Sequence, residues 1–165
     1  PFHSSGSNKK SGSNTNRWGN FQPTPEQQEQ WRNSDFEGRI EMAAEAWGIR
    51  SDLARNAFIE NAELTDDETA RFDVLMEAMN LRIADRIEYW VGQLEDDQPV
   101  TEETGIRIMN EITEAMVVTY DELDRNLGEG WKSHSEDRFS LVDFVDPRVA
   151  MPIGRLEGRL PGMGQ

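Results

Sequence analysis

Two glutamates one helical turn apart, and one histidine in a polar loop, are the residues whose types and spacing could support catalysis. Glu41 and Glu45 fall on the same face of a predicted helix, and a carboxylate pair can hydrolyse a bond when burial separates the two pKa values. His134 lies beside Ser133 and close to Asp137, which are the residue types of a nucleophilic triad. Triad side chains converge from separate elements, and the sequence has no G-x-S-x-G turn. An exposed loop histidine is therefore the simpler interpretation.

Ligands for a metal ion or a cofactor are scarce in this sequence. It contains no cysteine and two histidines, so zinc and redox metals lack their usual ligands. The acidic clusters at residues 96–97 and 121–124 offer carboxylates for calcium or magnesium, but neither has the spacing of an EF-hand loop. We therefore predict no catalytic residues, no metal site and no cofactor.

Negative charge is concentrated in the middle of the chain. The 165 residues carry a net charge of -15. Residues 34–130 contain 25 acidic and eight basic side chains, whereas the segments on either side are slightly basic or neutral. Such a surface repels phosphate backbones and anionic lipid, which argues against binding to nucleic acid or to a membrane surface. Two interpretations stay open: a solvated acidic face, or a docking surface for a basic partner or cation.

The first of three amphipathic stretches predicts a helix from Ser34 to Asn61. Ser34 is the expected N-cap, with Glu37 completing a capping box. Gly48 interrupts the pattern and predicts a break near residues 48–51. A shorter helix, which Thr24 would cap, is expected before it at residues 24–31.

The second and third stretches have clearer start signals. Thr65 and Glu68 predict a capping box for a helix that ends near Glu95, and Thr101 precedes a helix that Gly128 should terminate in the left-handed conformation. Methionines in these stretches are expected to fill gaps in the core. These methionines are Met76, Met79, Met109 and Met116. The core stripes are Phe72, Leu75, Met76, Met79, Ile83, Ile87, Trp90, Val91 and Leu94, then Ile108, Ile112, Ala115, Met116, Thr119, Tyr120, Leu123 and Leu127.

Short connections between these helices predict antiparallel neighbours. The expected fold is all-α, an antiparallel three-helix bundle with extended, irregular N- and C-terminal segments. Residues 1–33 form a flexible polar tail with aromatic anchors, residues 34–130 the acidic helical bundle, and residues 131–165 an irregular C-terminal strap. Within the strap, residues 139–147 predict a short strand or a turn of helix. The strap either lies over the bundle or docks on another chain. No apolar run reaches the ~20 residues that span a bilayer.

Large aromatic side chains also occur in segments that otherwise resemble linkers. Trp18, Phe21 and Trp31 lie in the polar tail, and Trp131 and Phe144 lie in the strap. Such rings either pack on the chain's own bundle or insert into a partner, as tryptophan does at binding hot spots. We take these five residues as the candidate partner-binding set. Trp47 and Trp90, which fall on the helix stripes, are expected in the core.

The stretch from Leu64 to Glu68, LTDDE, resembles the LTxxQ motif of a group of small periplasmic helical proteins. Glu68 stands where that motif has glutamine. The resemblance implies a metal or envelope-stress sensor, or a holdase chaperone, located outside the cytoplasm. It covers five residues, and no functional residue is carried over from it.

These observations favour a non-enzymatic structural or interaction protein. It would be an accessory subunit of a larger assembly, or the soluble domain of an anchored envelope protein with an anchor or signal before Pro1. Its expected partners are proteins, including those of a membrane-associated complex, and its expected location is periplasmic. The alternatives are the LTxxQ-like sensor or holdase and a carboxylate-dependent hydrolase.

Overall fold

The protein is described by a computed structural model over residues 23–94, 99–135 and 138–157, and every regular element in these ranges is helical. This confirms the all-α prediction for the part of the chain that the structure describes. The chain divides into two compact units, Pro1–Asn33 and Ser34–Gln165. The first unit contains helix α1, Pro25–Asn33. Its start is capped as predicted, because the Thr24 hydroxyl accepts from the Gln27 backbone N–H at 3.3 Å.

In its described residues, the second unit contains three long helices and three short helical segments. More elements are therefore present than the three helices predicted. The bounds are α2 Phe36–Asn61, α3 Asp66–Gln93, α4 Glu102–Asn126, α5 Trp131–Ser135, and the 3-10 helices η1 Leu141–Phe144 and η2 Pro147–Leu156.

The predicted start signals of α3 and α4 are confirmed, whereas those of α2 need correction. Thr65 caps α3 in a complete capping box, and the side chain of Thr101 caps α4. The N-cap of α2 is Asp35 rather than Ser34, because the Asp35 carboxylate accepts from the third N–H of the helix. The predicted break near residues 48–51 is wrong, since α2 is continuous there. The Ser51 hydroxyl donates back to the Gly48 carbonyl at 3.0 Å, within the same helix.

Helices α3 and α4 pack together antiparallel, because residues near the start of one contact residues near the end of the other. The Glu68 carboxylate accepts from the Gly128 backbone N–H at 2.9 Å. Further along, both terminal nitrogens of the Arg82 guanidinium donate hydrogen bonds to the Glu122 carboxylate, at 2.6 and 2.8 Å. The Glu68–Gly128 hydrogen bond therefore joins the start of α3 to the segment that follows α4.

Helix α2 contacts the rest of the unit mainly through residues 138–157, which contain η1 and η2 and which we call the C-terminal segment. The three long helices therefore do not form a bundle by themselves. Helix α2 packs chiefly against η2 and less extensively against η1, and η2 also packs along α3. The indole Nε1 of Trp47 donates to the Asp143 carbonyl at 2.9 Å. Contact between α2 and α3 is concentrated where Phe58 meets Phe72, with ring centroids 4.8 Å apart. The C-terminal segment is therefore a structural layer between two helices.

Two predictions about the chain beyond α4 need correction. The described part of the strap lies on the chain's own helices, one of the two arrangements left open, but most of that part is 3-10 helix rather than extended chain. The left-handed glycine after α4 is Gly130, with φ 95°, not Gly128. Leu127 has already left the helix in an extended conformation, so Gly128 is not needed for the stop.

Five aromatic rings form a cluster around Phe139, a partly buried residue that packs against the core. Its centroid lies 4.5 Å from Phe58, 5.3 Å from Trp131 and 5.7 Å from Phe144. Phe72 completes the group, edge-on to Phe144 at 5.2 Å. Rings from α2, α3, α5 and the C-terminal segment therefore depend on one another for burial. Within the described ranges, no helix is long and apolar enough to cross a membrane.

Candidate protein-interaction surface on helix α4

The structure separates the five predicted partner-binding aromatics. Trp18 and Phe21 lie outside the described residues. Trp31 lies in α1 and is 46% exposed, so its ring is accessible. Whether it contacts a partner stays a prediction.

Trp131 and Phe144 occupy a different environment from the one predicted. Each is only 5% exposed and belongs to the core of its own chain. The Trp131 indole also donates to the Asp124 carboxylate at 3.1 Å. Their segments carry no helical stripe, so sequence periodicity gave no sign of burial. Neither ring is available to a partner in this structure.

The residues considered for catalysis are not assembled into a site. Glu41 is exposed and pairs with Arg148 of η2 at 3.2 Å, and Glu45 is exposed on the same helix. The Ser133 hydroxyl donates to the Gly130 carbonyl at 2.8 Å, and His134 Nδ1 lies 2.9 Å from that same oxygen. Serine and histidine therefore share a backbone acceptor instead of bonding to each other.

Basic side chains bind the acidic cluster at residues 121–124. Glu122 pairs with Arg82, and Asp124 pairs with Lys132 at 2.7 Å. Hydrogen bonds from Lys132 and Trp131 lower the pKa of Asp124. In the described part of the chain, no group of three potential ligands is close enough to hold a metal ion. The cluster at residues 96–97 lies outside that part.

The LTDDE stretch makes a capping box with a further link. Glu68 accepts from the backbone N–H and the hydroxyl of Thr65, each at 2.9 Å, and from the Gly128 N–H. These hydrogen bonds lower the pKa of Glu68, with the Thr65 backbone contributing most. Glu68, which stands where the LTxxQ motif has glutamine, therefore caps the start of α3 and links it to Gly128.

Helix α4 carries more apolar surface than its neighbours cover. At 3.6 residues per turn, its apolar residues between Ile106 and Tyr120, apart from the isolated Val118, spread over about 200° of the circumference, twice the stripe that a packed surface helix needs. Of the long helices, α4 packs chiefly against α3. Residues on one side of the arc, including Ala115 and Thr119, are buried against α3. The other side of the arc faces outward.

Three large apolar side chains mark this outward side. Ile106, Met109 and Val117 are 61%, 60% and 53% exposed. With Thr113 they follow the spacing i, i+3, i+7 and i+11, which places them in one row along the helix. We call these four residues the α4 ridge. Beside it, Met116 is half-buried and packs against the core, so the ridge continues into the hydrophobic interior.

Met109 is a correction to the predicted core. Its predicted role is to fill a gap in the core, but more than half of its side chain faces solvent. Sequence reasoning identified the buried stripe of α4 and missed the ridge beside it. The available signal was the width of the apolar arc, since Ile106 and Val117 are apolar but do not belong to the predicted stripe.

Acidic side chains border the ridge on one flank. Helix α4 contains seven acidic and two basic residues. Glu103 is paired with Arg107 at 2.7 Å. Glu114 and Asp121 are exposed, and no ion pair to either carboxylate is found among the described residues. Two unpaired negative charges therefore lie next to an apolar row.

Other exposed apolar residues form shorter or interrupted rows. Ile49 and Leu53 make an isolated pair one turn apart on α2, and Val74 and Leu81 are separated from Tyr89 on α3 by Asp85. Tyr89 packs edge-on against Trp90, at 5.9 Å between centroids. Trp47 and Trp90, both expected in the core, are half-buried. Among the exposed rows that the structure describes, the α4 ridge combines exposed apolar length, continuity with the core and unpaired charge.

Comparison of the chain with protein-family models, with curated proteins and with solved structures finds no match in any of the three. The case for function therefore depends on the α4 ridge and its surroundings.

Proposed function

We propose that this chain is a non-enzymatic interaction protein, an accessory subunit that binds another protein through the α4 ridge. The observation that carries the proposal is the half of α4's apolar arc that residues 23–94, 99–135 and 138–157 leave uncovered. Exposed apolar rows with polar borders are typical of protein-binding surfaces. Two methionines, Met109 in the ridge and Met116 beside it, add side chains that adapt their shape to a partner.

The energetics of the ridge fit a binding role better than a folding role. Large apolar side chains that are more than half exposed contribute little to the stability of their own chain. Burying one against a partner is worth about 1.5–3 kcal/mol of apolar transfer. Three such residues in a row give the ridge enough apolar contact to anchor a helix or a groove of another protein.

The exposed Trp31 ring is proposed as a second anchor. Its helix has Arg32 in the last turn, and Trp and Arg are both enriched at binding hot spots. The periplasmic location inferred from the sequence remains part of the proposal, and fractionation of the source cells tests it.

The proposal is tested by comparing two full-length tagged variants in the source cells. The ridge variant combines Ile106→Ser, Met109→Ser and Val117→Ser, and the control combines Ile49→Ser with Leu53→Ser on α2. Both sets are exposed, so we expect folding and melting temperature to change little. The proposal is supported if wild type and control retain a partner that the ridge variant loses. That partner should also rebind purified wild type.

A monomeric native mass with no ridge-dependent partner would contradict it. So would a detected enzymatic activity that depends on Glu41 and Glu45, tested by replacing both with glutamine while confirming that the helical signal is intact.

A further inference from the structure

We infer that the partner segment on the α4 ridge is a basic amphipathic helix, with lysine or arginine side chains opposite Glu114 and Asp121. This inference rests on the proposed function and adds the chemistry of the occupant. It depends on three properties of α4: the length of the ridge, its spacing and the sign of the charge beside it.

The length and spacing of the ridge fit a helix. From Ile106 to Val117 the ridge rises about 16 Å, or three turns, at 1.5 Å per residue. Side chains at i, i+3, i+7 and i+11 form the type of row that interdigitates with the row of a second helix, at an interaxial distance of about 8–10 Å. The Thr113 hydroxyl donates to the Met109 carbonyl at 2.8 Å, so it is already satisfied and presents no unpaired group to an apolar neighbour.

The charge beside the ridge selects a basic partner. Glu114 and Asp121 lie on the same flank, about two turns apart, and both carboxylates are exposed. Arg125 is nearby, but its guanidinium donates to the backbone carbonyl of Asp121 at 3.0 Å, leaving the carboxylate free. An acidic or neutral helix placed here would leave both charges uncompensated, while the net charge of -15 would also repel an acidic one.

The same charge disfavours a second copy of this chain as the occupant. Two copies meeting at α4 would bring fourteen acidic and four basic helix residues together. Like charges juxtaposed at an interface cost binding free energy and slow association. A partner of opposite charge avoids this cost in binding free energy and associates faster.

The test uses four synthetic peptides of about 18 residues, each labelled with a fluorophore, and purified full-length protein. Three share the same helical leucine row and differ only at the flanking positions, which are lysine, glutamine or glutamate. The fourth has the composition of the lysine peptide in a scrambled order without helical periodicity. Binding is measured by fluorescence anisotropy at low and at high salt.

We expect the lysine peptide to bind about fivefold more tightly than the glutamine peptide, the size expected for two exposed ion pairs, with the difference lost at high salt. The glutamate peptide and the scrambled peptide should bind more weakly than either. The Glu114→Lys, Asp121→Lys double variant should invert the order of the lysine and glutamate peptides. The ridge variant should lose binding, while the Ile49→Ser, Leu53→Ser control should retain it.

Equal affinity for the lysine and glutamine peptides, both dependent on the ridge, would overturn the basic-helix inference and leave the proposed function standing. Equal binding of the scrambled peptide, unchanged binding by the ridge variant, or no binding of any peptide would also overturn it. Ridge-dependent self-association in sedimentation would instead identify a second copy as the occupant. Loss of the cellular partner is a separate measurement and judges the proposed function alone.

Discussion

The side chain of Asn80, in the middle of α3, accepts a hydrogen bond at 2.7 Å from the backbone N–H of Asp146, 66 residues later in the chain. Its amide nitrogen donates at 2.8 Å to the Phe144 carbonyl. One side-chain amide thereby satisfies a backbone acceptor and a backbone donor on either side of Val145. The junction between η1 and η2 is held against α3 by this pair of bonds.

Replacing Asn80 with alanine should destabilise the protein by about 2–3 kcal/mol, because a half-buried carbonyl and N–H lose their partner. Asn80→Asp should also destabilise it, since a carboxylate accepts from Asp146 but cannot donate to Phe144. Urea unfolding measures both effects, and hydrogen exchange of the Asp146 amide should accelerate. Asn110→Ala, at an exposed position of α4, is the matched control and should change stability by a few tenths of a kcal/mol. Equal effects at the two positions would refute the role of the Asn80 bonds.

Removing the Phe139 ring should destabilise the fold by about 3 kcal/mol, near the lower end for a phenylalanine-to-alanine change, because the ring is half-buried. Phe139 lies among rings from four segments, so its loss leaves several of them without an edge-on neighbour. The near-ultraviolet circular dichroism of Trp131 should weaken as well. Val142→Ala, on the exposed side of η1, serves as the control and should cost less than 0.5 kcal/mol. A similar cost at both sites would show that Phe139 does not organise the core.

A pair of glycine substitutions should act in opposite directions. A Cβ added at Gly154 of η2 would lie 2.8 Å from Cδ1 of Phe36, so Gly154→Ala forces a rigid ring to move and should destabilise by about 1–3 kcal/mol. A Cβ at Gly48 meets nothing within 4 Å. Gly48→Ala, inside α2, should therefore stabilise by about 0.5–1 kcal/mol. Thermal melts of the two variants check both signs, and destabilisation by Gly48→Ala would contradict a continuous, uncrowded α2.

Acidification should reduce stability partly through Glu68. Hydrogen bonds from Thr65 and Gly128 lower the pKa of this carboxyl in the folded protein, so the folded state favours its ionised form. The associated stability is present above the unfolded pKa and is lost as the pH falls through the lower, folded value.

The measurement is the unfolding free energy of wild type and Glu68→Gln between neutral pH and about pH 3. Glutamine cannot ionise, so the variant should be less stable than wild type at neutral pH, and the gap should narrow on the acid side. If the difference in unfolding free energy between wild type and variant did not change with pH, the negative charge of Glu68 would contribute nothing to stability.

Helix existence and type were predictable because the signals are local. Thr65 and Thr101 cap α3 and α4 through contacts within three residues, and the apolar stripe of α3 follows its own periodicity. The Asp35 cap of α2 was misplaced by one residue because Ser34 and Asp35 are both good caps. The choice between them depends on the path of the chain entering the helix.

The C-terminal segment could not be predicted, because its contacts are distant in sequence. Asn80 shows no sign that its amide will bind residues 144 and 146, and the stretch around Phe139 has no period that reveals burial. The five-ring cluster exists only when α2, α3 and α5 bring their rings to the same place.

The sequence by itself determined the helical character, the strong negative charge and most of the buried residues of α3, because propensity, capping and periodicity act over a few neighbouring residues. Tertiary structure alone decided that Trp131 and Phe144 are buried, that Glu41 pairs with Arg148, and that the described part of the chain leaves half of the apolar arc of α4 uncovered. A helix's own pattern shows which side chains are apolar. Whether each one is buried depends on which other elements reach that side of the helix.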